Sequence, residues 1–190
     1  MNKHRLEAFS DGVIAIIITI MVLDFKVPFH ANHFSDLIAL LPMFLSYILS
    51  FTLIAIYWNN HHHLFLAVEN INGRVLWANM HLLFWLSLIP FVTFWLGESG
   101  FAKEPVMLYG CVLLLASIAF YILNKSLLHS HDKNSKFAKA LGNHKKEISS
   151  IVLYILAIVS SLISSYVALG LYSIVALIWI IPDKRVEKNC

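Results

Sequence analysis

The sequence contains little charge. Asp, Glu, Lys and Arg together make up 13% of its 190 residues, whereas about 25% is usual in soluble domains. Hydrophobic residues make up 59%, and the mean hydropathy is +0.74. A single soluble core of this size cannot bury so much apolar surface, so the composition excludes a water-soluble globule.

Cysteine is also scarce, and familiar catalytic or binding signatures are missing. The two cysteines, Cys111 in an apolar stretch and Cys190 at the last position, do not suggest a disulfide pair. Neither a catalytic triad nor a phosphate-binding loop is recognisable. The net charge of +3 gives no sign of a nucleic-acid surface and suits loops that face lipid headgroups.

Long apolar stretches dominate what is present. Four stretches carry no formal charge: 37–58, 75–95, 105–123 and 148–181. A membrane-spanning helix needs about 20 residues, so each of the first three fits one span. The fourth is too long for one span, and we expect two helices with a turn near Gly170 and the serines before it. A further apolar run, 13–23, is interpreted as a retained helix because no small-residue cleavage site follows it.

The distribution of positive charge favours six helices with both termini in the cytoplasm. In that topology twelve of the 14 Lys and Arg residues lie inside, and Lys26 and Lys103 lie outside. A topology of five helices would place nine of the same 14 residues inside and five outside. The basic loop 124–147 is expected to lie on anionic lipid. The sequence therefore predicts an all-α, polytopic membrane protein in which residues 1–190 form one six-helix domain.

Asp11 is the most informative residue of the first helix. A carboxylate inside a membrane helix costs roughly 2.5–3.5 kcal/mol to insert, so it should face protein or water and have a partner. On a helical wheel Asp11 points about 130° away from an apolar stripe formed by Ile16, Ile20 and Leu23. We expect Asp11 to enter the bundle and the stripe to stay free. On periodicity alone, lipid contact or ordinary helix packing also explains the stripe.

Hydrogen-bond donors for Asp11 are available at the cytoplasmic ends of the next two helices. Trp58 and His61 lie at the end of the second, and Asn79 and His81 lie at the start of the third. Indole, amide and imidazole groups suit a buried carboxylate. We therefore expect a knot of Asp11, one or two histidines and an Asn that fixes the first helix. An interfacial belt of Trp and His is the alternative.

The first-helix motif Arg5-x-x-x-Phe9-Ser10-Asp11-Gly12 resembles the signature of the endosomal and lysosomal potassium channel family, the transmembrane protein 175 family. Trp-x-x-His at 58–61 and Leu-Ile-Pro-Phe at 88–91 are similar to the family as well. The resemblance covers essentially the whole chain, and its specificity rests on the first-helix motif.

The resemblance implies a potassium-selective channel, a homotetramer with one six-helix unit per chain in a prokaryotic plasma membrane. The family lacks the TVGYG filter of ordinary potassium channels, and no such string occurs here. Its pore is lined by the first helix of each subunit and constricted by bulky apolar side chains. Carried onto this sequence, the constriction corresponds to Ile16, Ile20 and Leu23, and Gly12 and Thr19 also line the pore.

The Arg5 and Asp11 positions correspond to a structural network of the family. Together with the donors identified above, the predicted network consists of Arg5, Phe9, Ser10, Asp11, Gly12, Trp58, His61, Asn79 and His81. We expect no cofactor and no metal. The expected partners are further copies of the chain, potassium ions as the permeant species, and membrane lipid.

Two other function classes remain open. A membrane metalloenzyme would use a His cluster such as 61–63, but the several His-rich boxes that these enzymes need are missing. A secondary transporter would need midplane ionisable residues or inverted repeats, and Asp11 is the one acidic residue in a predicted span. Pro42 and Pro90 can kink the second and third helices, which packing alone also explains. We expect a channel and not an enzyme.

Overall fold

Helices form all of the regular structure in residues 3–28, 32–66, 71–129 and 144–180, the part of the chain that the computed structural model describes. A 3-10 helix, Phe34–Leu40, runs directly into the second α-helix. The α-helices are α1 (Lys3–Leu23), α2 (Leu41–Leu66), α3 (Gly73–Ser87), α4 (Ile89–Glu98), α5 (Lys103–His129), α6 (Lys145–Ser161) and α7 (Ser165–Ile180). The predicted all-α class is confirmed.

Four helical segments are long and apolar enough to cross a membrane. They are α1, the 3-10 helix together with α2, α3 together with α4, and α5. The last two helices, α6 and α7, are shorter, at 17 and 16 residues. Helices suit a bilayer because they pair their own backbone polar groups, which lipid cannot do. The protein is therefore a polytopic membrane protein, and the number of six spans stays a prediction.

The last apolar stretch divides into two helices as predicted, and the turn lies among the serines named for it, but the predicted helix boundaries beside Gly170 are wrong. Helix α6 ends at Ser161 and α7 begins at Ser165, so Gly170 lies inside α7. The hydroxyls of Ser160 and Ser161 donate to carbonyl oxygens three residues earlier, at 2.8 and 2.6 Å. The next two backbone N–H groups also bond three residues back. This pattern tightens the last turn, so the serines end the helix.

Proline marks helix starts in this fold. Helix α3 ends at Ser87, and Pro90 lies in the first turn of α4, where its missing N–H would have no intrahelical partner. The kink predicted at Pro90 is thus a boundary between two helices. Pro42 likewise lies in the first turn of α2, so it starts that helix and does not kink it.

The boundaries predicted for the basic loop 124–147 are wrong at both ends. Helix α5 continues to His129, and α6 already begins at Lys145. Residues 130–143, which contain three of the loop's lysines, lie outside the described residues, as do the three basic residues and Cys190 after residue 180.

Helix α5 packs against α3, α4, α6 and α7, whereas α1 packs against α2, α3 and α4. The side of α1 that faces the bundle is one narrow stripe: Leu6, Ser10, Ile14, Ile17 and Met21. We call it the bundle stripe. Because α1 buries a single stripe, the rest of its circumference lies on the surface of the subunit.

Three hydroxyl groups join α2, α4 and α5 in the apolar interior. The Ser50 Oγ lies 2.7 Å from Thr93 Oγ1 and 2.9 Å from the Tyr109 hydroxyl, and all three side chains are buried. Hydrogen bonds between helices hold membrane bundles together because lipid offers no competing partner. The sequence analysis did not identify this trio, because single Ser and Thr residues carry no recognisable spacing.

We expect Gly110→Ala to destabilise the subunit. A Cβ at Gly110 would overlap the hydroxyl of Tyr172, which donates to the Val106 carbonyl at 3.1 Å. Moving Tyr172 should cost about 1–3 kcal/mol of unfolding free energy, as overpacking usually does. Thermal unfolding in detergent measures this. Gly170→Ala is the control, because a Cβ there meets open space on a helix, and equal losses in both variants would contradict the close approach.

Candidate functional site

One face of α1 stays largely uncovered when the subunit folds. Ile16, Ile20 and Leu23 are 58%, 43% and 75% exposed. On the helical wheel this stripe lies roughly 110° from the bundle stripe, so both cannot face the same neighbours. The structure therefore leaves the predicted apolar stripe on the surface of one subunit.

Gly12 and Thr19 lie on the same exposed side of α1. The Thr19 hydroxyl donates to the carbonyl oxygens of Ala15 and Ile16, at 3.1 and 3.0 Å. Because its proton is used within the helix, the hydroxyl oxygen keeps its lone pairs for an outside donor or a cation. Thr19 thus adds an oxygen acceptor to an otherwise apolar face.

The apolar surface continues from α1 onto α4. Ile16 and Ile20 form one wall of an open groove of about 490 Å³, and Pro90, Phe91 and Phe94 form the other. The two phenylalanines are exposed at 61% and 36%. This groove has the chemistry of a surface that contacts lipid or another apolar protein surface.

A buried chain of hydrogen bonds joins α1, α3 and α2. Asn79 Nδ2 donates to Ser10 Oγ at 2.9 Å, and Asn79 Oδ1 lies 2.7 Å from His61 Nε2. Since the Asn79 amide nitrogen is used on Ser10, its oxygen must accept, and His61 therefore carries its proton on Nε2. All three side chains are at most 2% exposed. The chain fixes the position and the rotation of α1 against its neighbours.

Asp11 does not enter the bundle, so that prediction is wrong. Its carboxylate is exposed, and Oδ1 accepts a hydrogen bond from Trp58 Nε1 at 3.0 Å. The partners expected for Asp11 bond other residues: the Asn79 amide nitrogen donates to Ser10, and the His61 imidazole bonds Asn79. One residue further along a helix is a rotation of about 100°, which turns Asp11 out of the interface that Ser10 enters.

The structure brings five of the nine predicted network residues into hydrogen bonds between helices, namely Ser10, Asp11, Trp58, His61 and Asn79. His81 bonds within α3 instead, where its Nε2 accepts from Trp85 Nε1 at 2.9 Å. Arg5, Phe9 and Gly12 lie on the exposed side of α1.

A buried carboxylate away from α1 escaped the sequence analysis. Glu147 in the first turn of α6 accepts a hydrogen bond from Asn124 Nδ2 at 3.1 Å, and His144 Nδ1 lies 3.8 Å from the same oxygen. An acidic residue in a first helical turn was an available signal. It was missed because these positions were assigned to a loop.

The described residues contain no group of three or more His, Cys, Asp or Glu side chains that could hold a metal ion. In the His run 61–63, His61 uses Nε2 for Asn79, and His62 stacks on Trp58 with ring centroids 5.9 Å apart. The arrangement gives these imidazoles structural contacts.

Comparisons with known proteins agree with the first-helix motif. A family model described as "Endosomal/lysosomal potassium channel TMEM175" matches residues 5–90. A potassium channel of Chryseobacterium sp. (strain P1-3) is 53% identical over 189 residues, which cover 100% of this chain and 98% of that protein. A potassium channel of Chamaesiphon minutus is 31% identical, with 91% of each chain covered.

A solved structure shares the fold. The crystal structure of a lysosomal potassium-selective channel TMEM175 homolog from Chamaesiphon minutus matches with a TM-score of 0.82 and 29% sequence identity. The match covers 95% of this chain and 97% of that one. Taken with the full-length bacterial relative, these similarities show that the chain belongs to the TMEM175 family of endosomal/lysosomal potassium channels.

Proposed function

We propose that the protein is a potassium-selective channel whose pore is lined by α1 of each subunit. The observation that carries the proposal is the uncovered face of α1, with Ile16, Ile20 and Leu23 exposed at the edge of the bundle. The names of its bacterial relatives support potassium as the permeant ion. In this proposal the three apolar side chains form the constriction, and Gly12 and Thr19 line the pore beside them.

The pore requires several copies of the chain, because one helix cannot enclose a channel. We propose a homotetramer with closed cyclic symmetry, which repeats the same stripe around one axis. A narrow apolar neck excludes water and ions, and slight widening admits them. Such a neck would act as a hydrophobic gate and needs no cofactor, so potassium ions are the sole small partners in the proposal.

We further propose six membrane spans with both termini in the cytoplasm. Helices α6 and α7 supply the fifth and sixth spans, and the turn 162–164 between them lies outside. The positive-inside distribution supports this topology. The prokaryotic relatives support a multi-pass protein of the plasma membrane with lipid around the subunits.

The proposed constriction predicts the effect of Ile16→Asn. In a liposome patch with high potassium on one side and low potassium on the other, balanced by sodium, the wild-type reversal potential should lie near the potassium equilibrium value. A polar side chain at residue 16 should ease hydration of the neck and move the reversal potential toward zero. If the entry barrier falls by about 1.4 kcal/mol, the current rises about tenfold.

Ile155→Asn on α6 is the matched control, because Ile155 is exposed at 47%, close to the exposure of the stripe, but lies on another helix. It should leave the reversal potential unchanged. Unaltered current in Ile16→Asn would move the pore away from α1. Absence of current from folded, reconstituted wild-type protein would contradict the channel and return the transporter and the metalloenzyme to consideration.

The network predicts different effects for two polar variants. Asn79→Leu leaves the buried His61 Nε2 without its partner, whereas Ser10 Oγ still donates to the Leu6 carbonyl. The unpaired imidazole nitrogen should cost about 1–3 kcal/mol of subunit stability. Asp11→Ala removes an exposed acceptor from Trp58, so it should lower the tetramer fraction more than the potassium-to-sodium permeability ratio. Thermal unfolding measures the stability of Asn79→Leu. Light scattering after size exclusion measures the tetramer fraction of Asp11→Ala, and reversal potentials measure its permeability ratio. Normal tetramers of Asp11→Ala with lost selectivity would put Asp11 in the ion pathway.

A further inference from the structure

A small cavity lies inside the helical bundle, away from the α1 face. Its volume is about 20 Å³. It lies where α2, α5, α6 and α7 meet, and none of its lining residues belongs to α1. The apolar part of the lining includes Leu53, Phe120 and Val175. Any role of this cavity is therefore separate from the proposed pore.

Three hydroxyl groups from three helices line the cavity: Tyr57 on α2, Ser117 on α5 and Tyr154 on α6. Ser117 and Tyr154 are only 7% and 2% exposed. Within the described part of the chain, none of the three hydroxyls bonds another protein group, and Tyr57, unlike the other two, is only half-buried. Buried hydroxyls are normally paired, with protein or with ordered water.

Two other buried tyrosines, Tyr109 and Tyr172, have hydrogen-bond partners within the protein. Tyr109 is bonded to Ser50 at 2.9 Å, and Tyr172 donates to the Val106 carbonyl at 3.1 Å. Both have no exposed surface. Tyr57 and Tyr154 therefore differ from their neighbours in facing a space instead of a partner.

The size of the space selects the ligand. A water molecule needs about 10–15 Å³ of such volume and two to four polar partners, and an organic ligand needs several hundred Å³. We propose that the cavity is a binding site for a structural water molecule that bridges the hydroxyls of Tyr57, Ser117 and Tyr154. The water joins α2 to α5 and α6 in each subunit.

The rim of the cavity is polar on one side. Trp179 Nε1 donates to Ser150 Oγ at 2.7 Å, and Asn60 also lines the cavity. Asn60 directly precedes His61 in α2, so the water-bridged contact lies next to the segment that holds α1. In the proposal, the bound water supports α2 on a face beside the one that carries His61.

Radiolytic footprinting in lipid nanodiscs tests the proposal with the full chain. X-ray pulses generate hydroxyl radicals from bound water, and these label the side chains beside it. Mass spectrometry in ¹⁸O water should find labelling of Tyr154, which is only 2% exposed, several-fold above that of Tyr109 and Tyr172. Labelling of these three buried tyrosines at the same low level would mean a dry cavity and would overturn the proposal.

Two variants at residue 117 locate the water. Ser117→Ala keeps the space and two hydroxyl partners, so Tyr154 labelling should persist. Ser117→Val removes the hydroxyl and adds bulk, so Tyr154 labelling should fall to the level of Tyr109. Wild-type labelling of Tyr154 in a folded Ser117→Val protein would put the water elsewhere and overturn the proposal. If Ser117→Val fails to fold, the labelling of Tyr154 against Tyr109 and Tyr172 in the wild type still decides, and ion currents have no part in the outcome.

Discussion

The hydrogen bonds of Asn79 determine which face of the first helix is free. The side chain is buried and joins Ser10 of α1 to His61 of α2, at 2.9 and 2.7 Å. In lipid, helices associate through van der Waals packing and interhelical hydrogen bonds, because lipid tails are as apolar as leucine. The hydrogen bonds are directional, so they act together with the packing of the bundle stripe to fix the rotation of α1. With Ser10 held inside, Ile16, Ile20 and Leu23 must point away from the bundle, and the proposed pore depends on that rotation.

Much of the fold follows from the sequence, because charge and length constrain a membrane chain strongly. The charge-free stretches predict the helices, and the excess length of 148–181 predicts a division into two. The turn was assigned to Gly170 and the serines before it, with the boundary beside Gly170, yet the helix already ends at Ser160 and Ser161, which bond their own backbone. Side-chain competition of this kind depends on local geometry that composition does not report.

The site was predicted less completely, and the error at Asp11 explains why. The sequence analysis named Ser10, His61 and Asn79 for a polar network centred on Asp11, and the structure joins these three by hydrogen bonds without Asp11. The sequence did not identify whether Ser10 or Asp11 enters the bundle, because the two differ by one residue and both are polar. A carboxylate is costly in lipid, so Asp11 was expected inside. The structure instead gives it Trp58 as a donor at the subunit surface, where in the proposed homotetramer water or a second subunit completes its surroundings.

The proposed neck contains no charge, and this limits how it distinguishes ions. Between Asp11 and Asp24, α1 carries only apolar residues, Gly12 and Thr19. Attraction by a carboxylate therefore does not act at the proposed constriction itself, and easier dehydration of the larger ion is our hypothesis for a preference for potassium there. In the proposed pore, the lone pairs of Thr19, whose proton is used within the helix, are available to replace part of the water that a potassium ion loses. In the proposed neck, the same narrowness also excludes water. Selectivity and gating therefore share one physical cause in the proposal, and a change in the width of the neck alters both together.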